Sequence, residues 1–467
     1  MKRTFLILSF GAIIALTCIT FINTGCSEEK EQDKNSDTLK TNKITNQYAI
    51  LPRDIVPQSI ALGDTFSWKT FIALCWPANG NTCGPDTSNG ISILKGTGPV
   101  VWETYLTSDQ VFVLPKKEPQ KWCEFGNEKI NIKSLPQKVQ DIAIKTGVYR
   151  FIHRTSKAPH SLIEASGQPL VDQNGRFVRY EVRINKIEYE YIIANTLWSL
   201  AGQNKYMQNK NDSINFPAGG FISKDSVGSM EFKAAWKVLG KGDDFNRFYT
   251  IRAIIFNDDS LNPSPGENPV TLGLVGLHIA HKTATQRFWV WSTFEQLDNL
   301  TSSFNNSKCK DCKVNQPPLG PPYKELDKYG KPLHNPTQVT RVLKVDTTDS
   351  TYSGDTFVAG INKYFQNLLK GSVWANYALV STQWELNEGI FPNFLANTVQ
   401  ETYLQGNNPP TPGTFTITNG EQYFQSKYYQ PFNKGITSSC MGCHYTAKLH
   451  GNNKKRSDFS FLLGEVH

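Results

Sequence analysis

Hydrophobic and polar residues alternate in several stretches in the middle of the chain, and a period of two is typical of half-buried β-strands. Between positions 230 and 238, Glu231, Lys233 and Lys237 lie on one side and mostly apolar residues on the other. Such patterns, with many β-branched and aromatic residues, predict strands at Phe177–Ile184, Met230–Leu239, Phe248–Phe256, Leu272–Lys282 and Phe288–Phe294. Turn-forming segments such as 262–266 separate them.

Fewer stretches have the spacing of a helix. Residues 137–146 predict one helix, and residues 360–380 predict another, which Gly371 can interrupt. A short helix is expected at 444–449. We find no internal repeat. The balance of elements predicts an α+β fold with a mostly β body from about 50 to 435, in one or two domains, and a short C-terminal segment at 436–467.

The N-terminus has the form of an export signal. Lys2 and Arg3 precede the apolar stretch 5–22, and a polar segment follows Cys26. The junction at Cys26 resembles a bacterial lipoprotein signal, although Asn23 stands where that family has an aliphatic residue. The resemblance implies a signal at 1–25, acylation of Cys26, a flexible tether at 26–49 and a lipid anchor in the cell envelope, facing the periplasm or the cell surface. An ordinary cleaved signal and an uncleaved anchor are the alternatives.

Composition and charge exclude several classes of protein. The chain has 467 residues, of which 39% are apolar and 12% aromatic, so disorder along the whole chain is excluded. After the first 25 residues no run of about 18 apolar residues could cross a membrane, which excludes a polytopic membrane protein. The net charge of +8 includes no long basic block, so nucleic-acid binding has no support.

The cysteines divide into groups with different expected roles. The nine are Cys18, Cys26, Cys75, Cys83, Cys123, Cys309, Cys312, Cys440 and Cys443. Cys75 lies in an apolar stretch and is predicted to be a buried free thiol. Four others, Cys83, Cys123, Cys309 and Cys312, could form two disulfides, and the sequence does not choose among three connectivities. Cys309 and Cys312 form a C-x-x-C followed by Lys313, so this pair is not a haem site. Its polar flanks predict a surface loop, which favours a structural disulfide over a redox-active dithiol or half a zinc site.

The motif with the most specific chemistry is Cys440-Met441-Gly442-Cys443-His444, a C-x-x-C-H pattern. Two thiols at this spacing can form thioethers with the two vinyl groups of a haem. The adjacent His444 is then held beneath the iron as its proximal ligand. Export agrees with this interpretation, because haem is attached covalently outside the cytoplasm. A disulfide loop and half a zinc site are the alternatives.

This motif resembles the haem-attachment motif of cytochromes c. The wider chain resembles poorly characterised exported bacterial proteins of the cytochrome c family, in GLVGLHIAHKT, FWVWSTFEQLDN, SSCMGCHYTA and SDFSFLLGE. The resemblance implies one covalent haem c but no particular reaction. No methionine follows His444, and the chain ends soon after it. A small class I cytochrome domain is therefore not expected, and the segment 436–467 is predicted to dock on the body through residues 458–463.

The second axial ligand of the iron is left open by the sequence. His278 is the first candidate, because on a strand it shares a face with Gly276 and Ala280, whose small side chains would leave room for a flat ligand. His281 would then point to the opposite face. An open coordination position is one alternative. His450 is six residues past His444, too near to reach the other face of the haem easily. The other candidate ligands are His281 itself, Met207, Met230, His153, His160 and His334.

Three functional classes follow from a single covalent haem. The first is a mono-haem cytochrome that exchanges electrons with a redox partner protein. The second is a peroxidase-like or substrate-oxidising enzyme with His278 as distal acid–base group. The third is a haem-based sensor or binding protein. No G-x-S-x-G, H-E-x-x-H or P-loop motif supports a hydrolase or a nucleotide-binding protein.

Overall fold

The structure is a computed structural model, and its description covers most of the chain from residue 43 onward. The described residues are 43–55, 60–96, 98–113, 118–123, 135–152, 172, 176–208, 214–220, 226–257, 262–263, 268–299, 358–384, 397, 399, 414–418, 421–425, 444, 447–450, 452–464 and 466. They belong to the compact unit Lys43–His467, and Met1–Asn42 is a separate unit. The predicted signal at 1–25 and the predicted acylation site Cys26 therefore lie outside the described residues.

Six helices and fifteen strands make up the regular structure of the described residues. The helices are α1 Ile60–Leu74, α2 Ser108–Val111, α3 Gln137–Thr146, α4 Lys186–Ala194, α5 Leu200–Gln208 and α6 Val358–Leu368. The strands are β1 Ala78–Asn79, β2 Gly84–Pro85, β3 Leu106–Thr107, β4 Phe151–Ile152, β5 Arg179–Ile184, β6 Met230–Val238, β7 Thr250–Asn257, β8 Asn262–Pro263, β9 Val270–His281, β10 Val290–Gln296, β11 Tyr377–Gln383, β12 Thr414–Thr418, β13 Glu421–Gln425, β14 Lys448–Leu449 and β15 Asn452–Arg456.

A nine-stranded sheet forms the centre of the body, and the prediction of an α+β fold with a mostly β body is confirmed. Its main strand order is β11-β10-β9-β6-β5-β3, with β7 beside the first part of β9 and with β4 and β8 beside β7. All pairings in this sheet are antiparallel except that of β4 with β7. The five predicted strands correspond to β5, β6, β7, β9 and β10, with ends shifted by a few residues.

One face of this sheet packs against two helices, and we call it the helix face. Leu277, Ile279 and Phe294 on this face join Trp68 and Phe71 of α1 in the largest hydrophobic cluster, to which α6 contributes Phe365. The ring centroids of Phe71 and Phe294 are 4.1 Å apart. Burial of these large apolar side chains supplies the main stabilisation of the body.

The opposite face carries polar residues in its centre, and we call it the histidine face. Lys233 on β6 is paired with His278 on β9, and His278 is paired with Thr293 on β10. Thr293 is in turn paired with Ser381 on β11. Directly paired residues in an antiparallel sheet point to the same side, so these four side chains form one row across four strands. All four are buried.

The helix predictions were partly correct. The prediction at 137–146 is confirmed by α3, whereas the one at 360–380 is wrong in its second half, because α6 ends at Leu368 and β11 begins at Tyr377. Gly371 interrupts the helix in a left-handed conformation, with φ of 94°. The prediction of a helix at 444–449 is correct at His444, which is helical, and wrong at its end, because Lys448–Leu449 is the strand β14 and pairs with β15.

The last part of the chain packs on the body rather than forming a core of its own. Leu449, Leu462, Leu463 and Val466 are buried in a second hydrophobic cluster that also contains Trp291 of the sheet. Phe461 was expected to help bury the segment, but it is 45% exposed. At the other end, Ala49 is buried, so the folded body includes the last residues of the predicted tether.

Candidate functional site

His444 is the residue of the C-x-x-C-H motif that the structure describes, and Cys440 and Cys443 lie outside the described residues. Its ring packs against two aromatic residues. The centroid of the Trp291 ring is 4.4 Å away, and that of the Phe461 ring is 4.9 Å away in an edge-on arrangement. Trp291 belongs to the sheet and Phe461 to the C-terminal segment, so His444 is held between the two.

A backbone hydrogen bond sets the protonation of the His444 ring. Its Nδ1 lies 2.7 Å from the carbonyl oxygen of Phe459. A carbonyl oxygen only accepts hydrogen bonds, so Nδ1 must be the nitrogen that carries the proton. The neutral ring then has its lone pair at Nε2. A histidine that binds a metal through one nitrogen commonly donates from the other to a backbone carbonyl, and His444 has this arrangement.

An unusual turn presents the Phe459 carbonyl to His444. Asp458 and Phe459 both have left-handed backbones, with φ of 53° and 70°. This conformation is rare outside glycine, and it is retained where the surrounding structure holds it in place. Here Ser457 and Ser460 close the turn: the Ser460 amide donates to the Ser457 carbonyl at 3.1 Å, and the Ser457 hydroxyl donates to the Ser460 carbonyl. Both serines are fully buried.

Asp458 fastens this turn to the end of β9. Its carboxylate accepts a hydrogen bond from Lys282 and another, at 2.7 Å, from the Phe216 amide. Lys282 also donates to the Asn215 side chain at 2.7 Å. Burial raises the pKa of Asp458, although Lys282 opposes that shift. The turn that orients His444 is thus anchored by a buried ion pair to the sheet.

His278 lies on the same face of the sheet as Trp291, and its ring centroid is 5.6 Å from that of Trp291. Its Nδ1 lies 2.5 Å from the Thr293 hydroxyl. The expected room beside His278 is in part filled. A Cβ added to Gly276 would fall 2.4 Å from Cγ2 of Val399, whose carbonyl accepts a hydrogen bond from Tyr180. The interpretation of Gly276 as open space for a flat ligand is therefore wrong.

His281 points to the opposite face, as the strand interpretation predicted. It is paired with Val290 and stacks on Phe66 with ring centroids 5.5 Å apart. Burial lowers its pKa to about 3, and neither ring nitrogen has a hydrogen-bond partner among the described residues. Met230 is its neighbour on β6 and is fully buried. His281 and Met230 are thus on the face of the sheet that does not contact His444.

The remaining candidate ligands lie in different settings, and His153, His160 and His334 lie outside the described residues. Met207 is half-buried at the end of α5 and packs against the same cluster as Trp291. His450 is exposed, and its Nδ1 lies 3.1 Å from the Gly464 carbonyl. The structure therefore brings Met207 and His278, but not Met230 or His281, to the side of the sheet where His444 lies.

The cysteines agree with the sequence as far as they are described. Cys83 and Cys123 form a disulfide with Cα atoms 5.6 Å apart, which is one of the pairings left open. Cys75 is a fully buried free thiol, as predicted, and burial raises its pKa. Cys309 and Cys312 lie outside the described residues.

A buried charge network on the β5 edge of the sheet was missed by the sequence analysis. Arg150 forms ion pairs with Glu103 and Glu181, and Arg183 forms one with Glu181. Burial raises the pKa of Glu181, but the two guanidinium groups outweigh this and lower it to about 2. No local pattern marks these residues, because they come from segments far apart in the chain. The network lies on the helix face, and His444 packs on Trp291 of the opposite face.

The described part of the chain has few other features that point to a metal or a membrane. No group of three or more His, Cys, Asp or Glu side chains there could hold a metal ion. Among the same residues, no helix has the length and apolar character needed to cross a membrane. Comparison with protein-family models, with curated proteins and with solved structures gave no match.

Proposed function

We propose that the protein is an exported mono-haem c-type cytochrome that transfers electrons in the bacterial cell envelope. Cys440 and Cys443 would attach the haem, and His444 would be the proximal iron ligand. The observation that carries the proposal is the hydrogen bond from His444 Nδ1 to the Phe459 carbonyl. It leaves the lone pair on Nε2, which is the protonation that iron ligation requires.

The surroundings of His444 fit a bound haem c, which would supply a one-electron redox centre. Trp291 and Phe461 restrict the orientation of the imidazole from two sides. The Phe459 carbonyl accepts a hydrogen bond from Nδ1, and this makes the ring a stronger electron donor through Nε2. The chain would thus tune the haem mainly through the orientation and basicity of His444.

The attachment segment would depend on the body for its structure. Its leucines are buried in a cluster with Trp291, and Asp458 pairs with Lys282 of the sheet. This arrangement supports a haem-bearing segment docked on a large body, in place of a separate class I cytochrome domain. Acylation of Cys26 would tether the body to the membrane, and a redox partner protein would exchange electrons with the haem.

The tether is tested with the variant Cys26→Ser, which is expected to lose the fatty-acid labelling of the wild type.

The attachment of haem is tested by producing the protein in a host with the machinery for c-type haem maturation. The wild type is expected to keep haem after denaturation and to gain the mass of one haem. The double variant Cys440→Ser/Cys443→Ser should lose both signals. The matched control is Cys309→Ser/Cys312→Ser, which removes the second C-x-x-C pair and should keep its haem. A wild type without covalent haem, or equal loss in both double variants, would refute the proposal.

A haem enzyme is the second candidate, because His278 lies on the same face as the Trp291 ring that contacts His444. With an open iron position, His278 would serve as a distal acid–base group. The spin state of the haem separates the two candidates. A six-coordinate, low-spin spectrum supports electron transfer, and a five-coordinate, high-spin spectrum supports an enzyme, or a sensor if a gas binds without turnover.

A further inference from the structure

A cavity of about 240 Å³ lies at the edge of the large hydrophobic cluster on the helix face. Three segments that are far apart in the chain form its walls. Cys75 directly follows α1, Leu94 belongs to the turn at 93–95, and Trp374 comes just after the left-handed turn at Gly371. An apolar cavity of about 150 Å³ can hold benzene. This cavity therefore has room for one substituted aromatic ring.

Most of the cavity wall is apolar or aromatic. Its apolar lining residues include Ile93, Leu94, Val100, Val373 and Trp374. The ring of Trp374 stacks on that of Tyr249, with centroids 4.7 Å apart and an angle of 25° between the planes. Small-molecule sites in proteins are commonly lined in this way, with a few polar groups that fix the orientation of the ligand. The wall thus suits a flat, largely apolar occupant.

The polar groups of the lining accept hydrogen bonds rather than donate them. The Tyr249 hydroxyl donates to the Glu103 carboxylate, and burial, together with Glu103, raises its pKa. Its proton is therefore committed, and its oxygen offers lone pairs. The Gly98 carbonyl oxygen lies 3.4 Å from this oxygen. The Ser372 hydroxyl donates to the Leu369 carbonyl at 2.8 Å. An occupant that hydrogen-bonds to these groups has to be a donor.

The cavity gives no counter-charge to an ionic occupant. None of the described residues that line it is Lys, Arg, Asp or Glu. Glu103, which accepts from Tyr249, is already paired with Arg150. Burial raises the pKa of the Cys75 thiol, so this lining group is neutral as well. An ion would have to leave water without a partner, and that is costly. The occupant is therefore uncharged.

We propose that this cavity is a binding site for a phenol, a neutral single-ring molecule with a hydroxyl donor. The ring packs against Leu94, Val373 and Trp374, and its hydroxyl donates to the acceptor pair of Tyr249 Oη and the Gly98 carbonyl. This inference goes beyond the proposed electron transfer and does not depend on haem. The cavity borders the cluster of the helix face, whereas His444 packs on Trp291 of the histidine face.

The test is calorimetric titration of the full chain with phenol, toluene and benzoate. Phenol is expected to bind with a Kd of about 1 mM or tighter. Toluene has the same shape and a methyl group in place of the hydroxyl. It is more apolar, so a cavity that offered apolar contact alone would prefer it to phenol. We expect phenol to bind about fivefold more tightly than toluene, because it donates to the acceptor pair. Benzoate is expected not to bind.

Two variants place the binding in this cavity. Tyr249→Phe keeps the ring on Trp374 and removes the acceptor oxygen, so it should weaken phenol binding about fivefold and leave toluene binding unchanged. Its control is Tyr191→Phe, a half-buried tyrosine on α4 that should bind phenol as the wild type does. Val373→Phe fills the cavity and should abolish the binding of both compounds. Its control is Ile144→Phe at a position that is 62% exposed, and this variant should keep both.

A wild type that does not bind phenol, or that binds toluene or benzoate as tightly, would overturn the proposal. So would phenol binding that persists in folded Val373→Phe or is unchanged in Tyr249→Phe. If Val373→Phe does not fold, Tyr249→Phe decides, since its binding of toluene shows that the cavity is intact. None of these results affects the proposed attachment of haem, which is measured separately by mass and by retention after denaturation.

Discussion

The two faces of the central sheet are built from alternate residues of the same strands, and they differ in chemistry. On β9, Leu277 and Ile279 of the helix face enter a large apolar cluster under α1 and α6. Between them, His278 of the histidine face stands in a row with Lys233 and Thr293. The helix face has side chains suited to packing, whereas the histidine face has buried polar groups that contribute less to stability than apolar ones would.

The C-terminal segment contacts the sheet on the histidine face, through His444 on Trp291. The residues with candidate chemistry thus meet on the face where the sequence retains polar side chains. We infer that the helix face supplies the rigidity and the histidine face the site. Substitutions on the helix face are therefore expected to alter the stability of the fold. Substitutions on the histidine face are expected to alter the spectra of the haem.

The largest effect on stability is expected for Phe71→Ala on the helix face. Phe71 is fully buried and its ring contacts those of Trp68, Phe294 and Trp374. Loss of a buried phenylalanine side chain should lower the free energy of unfolding by about 3–5 kcal/mol. Chemical denaturation measures the change. Haem content per folded molecule should stay that of the wild type, and loss of haem from folded protein would contradict the division between the faces.

A somewhat smaller loss is expected for Arg150→Met. The change leaves Glu103 and Glu181 without their shared partner, and breaking such a pair costs about 3 kcal/mol. The pKa of Glu181 is lowered from 4.5 to about 2, so its ion pairs stabilise the fold above pH 4.5 and are lost as the pH falls towards 2. Unfolding at several pH values measures both effects. The variant should be less sensitive to acid than the wild type in this window.

A pH-dependent effect is expected at His281. Its folded pKa of about 3 is below the ordinary value of 6.5, because burial disfavours the charged ring. Below pH 6.5 the unfolded chain binds a proton that the folded chain does not, so stability falls as the pH falls towards 3. His281→Phe keeps an aromatic ring on Phe66 and should remove this part of the pH dependence. The same substitution at exposed His450 should leave the dependence unchanged.

The smallest effect on stability, with a visible effect on the haem, is expected for Thr293→Val. It removes the hydroxyl that meets His278 Nδ1, at a cost of about 1 kcal/mol. The optical and EPR spectra should change, since the His278 ring loses the hydroxyl that helps to position it on the histidine face. Thr382→Val is the matched control on the helix face, where the Thr382 hydroxyl meets that of Ser67 at 2.7 Å. It should destabilise the protein similarly and leave the spectra unchanged.

Much of the sheet could be predicted because its strands have strong local patterns. The placement of His278 and His281 on opposite faces followed from the period of a strand alone. Helix α1 was not predicted, because apolar residues surround most of its circumference and leave no clear stripe. The strand β11 was missed for a different reason: its first residues continue the apolar spacing of α6, and the left-handed turn at Gly371 decides the outcome.

The sequence predicts candidate ligands for the proposed site, but it does not predict the contacts that surround them. The C-x-x-C-H spacing pointed to His444, and the free thiol at Cys75 followed from its apolar neighbours. Trp291 contacts His444 from a segment more than 150 positions away in the chain. The Phe459 carbonyl reaches His444 because the turn at 458–459 has a left-handed backbone. No local pattern in the sequence predicts either of these two contacts. Val399 fills the space beside Gly276, and this contact between distant segments could not be predicted from a local pattern either.

The central claim is that His444 binds iron through Nε2 while its Nδ1 donates to Phe459. The most direct measurement is NMR of the ferric, haem-loaded protein with isotopically labelled histidine. The account predicts one histidine with strongly paramagnetically shifted ring signals that is lost in His444→Ala, and an Nδ1 proton on it that exchanges slowly with solvent. A covalent haem that leaves the His444 signals unshifted would contradict the account.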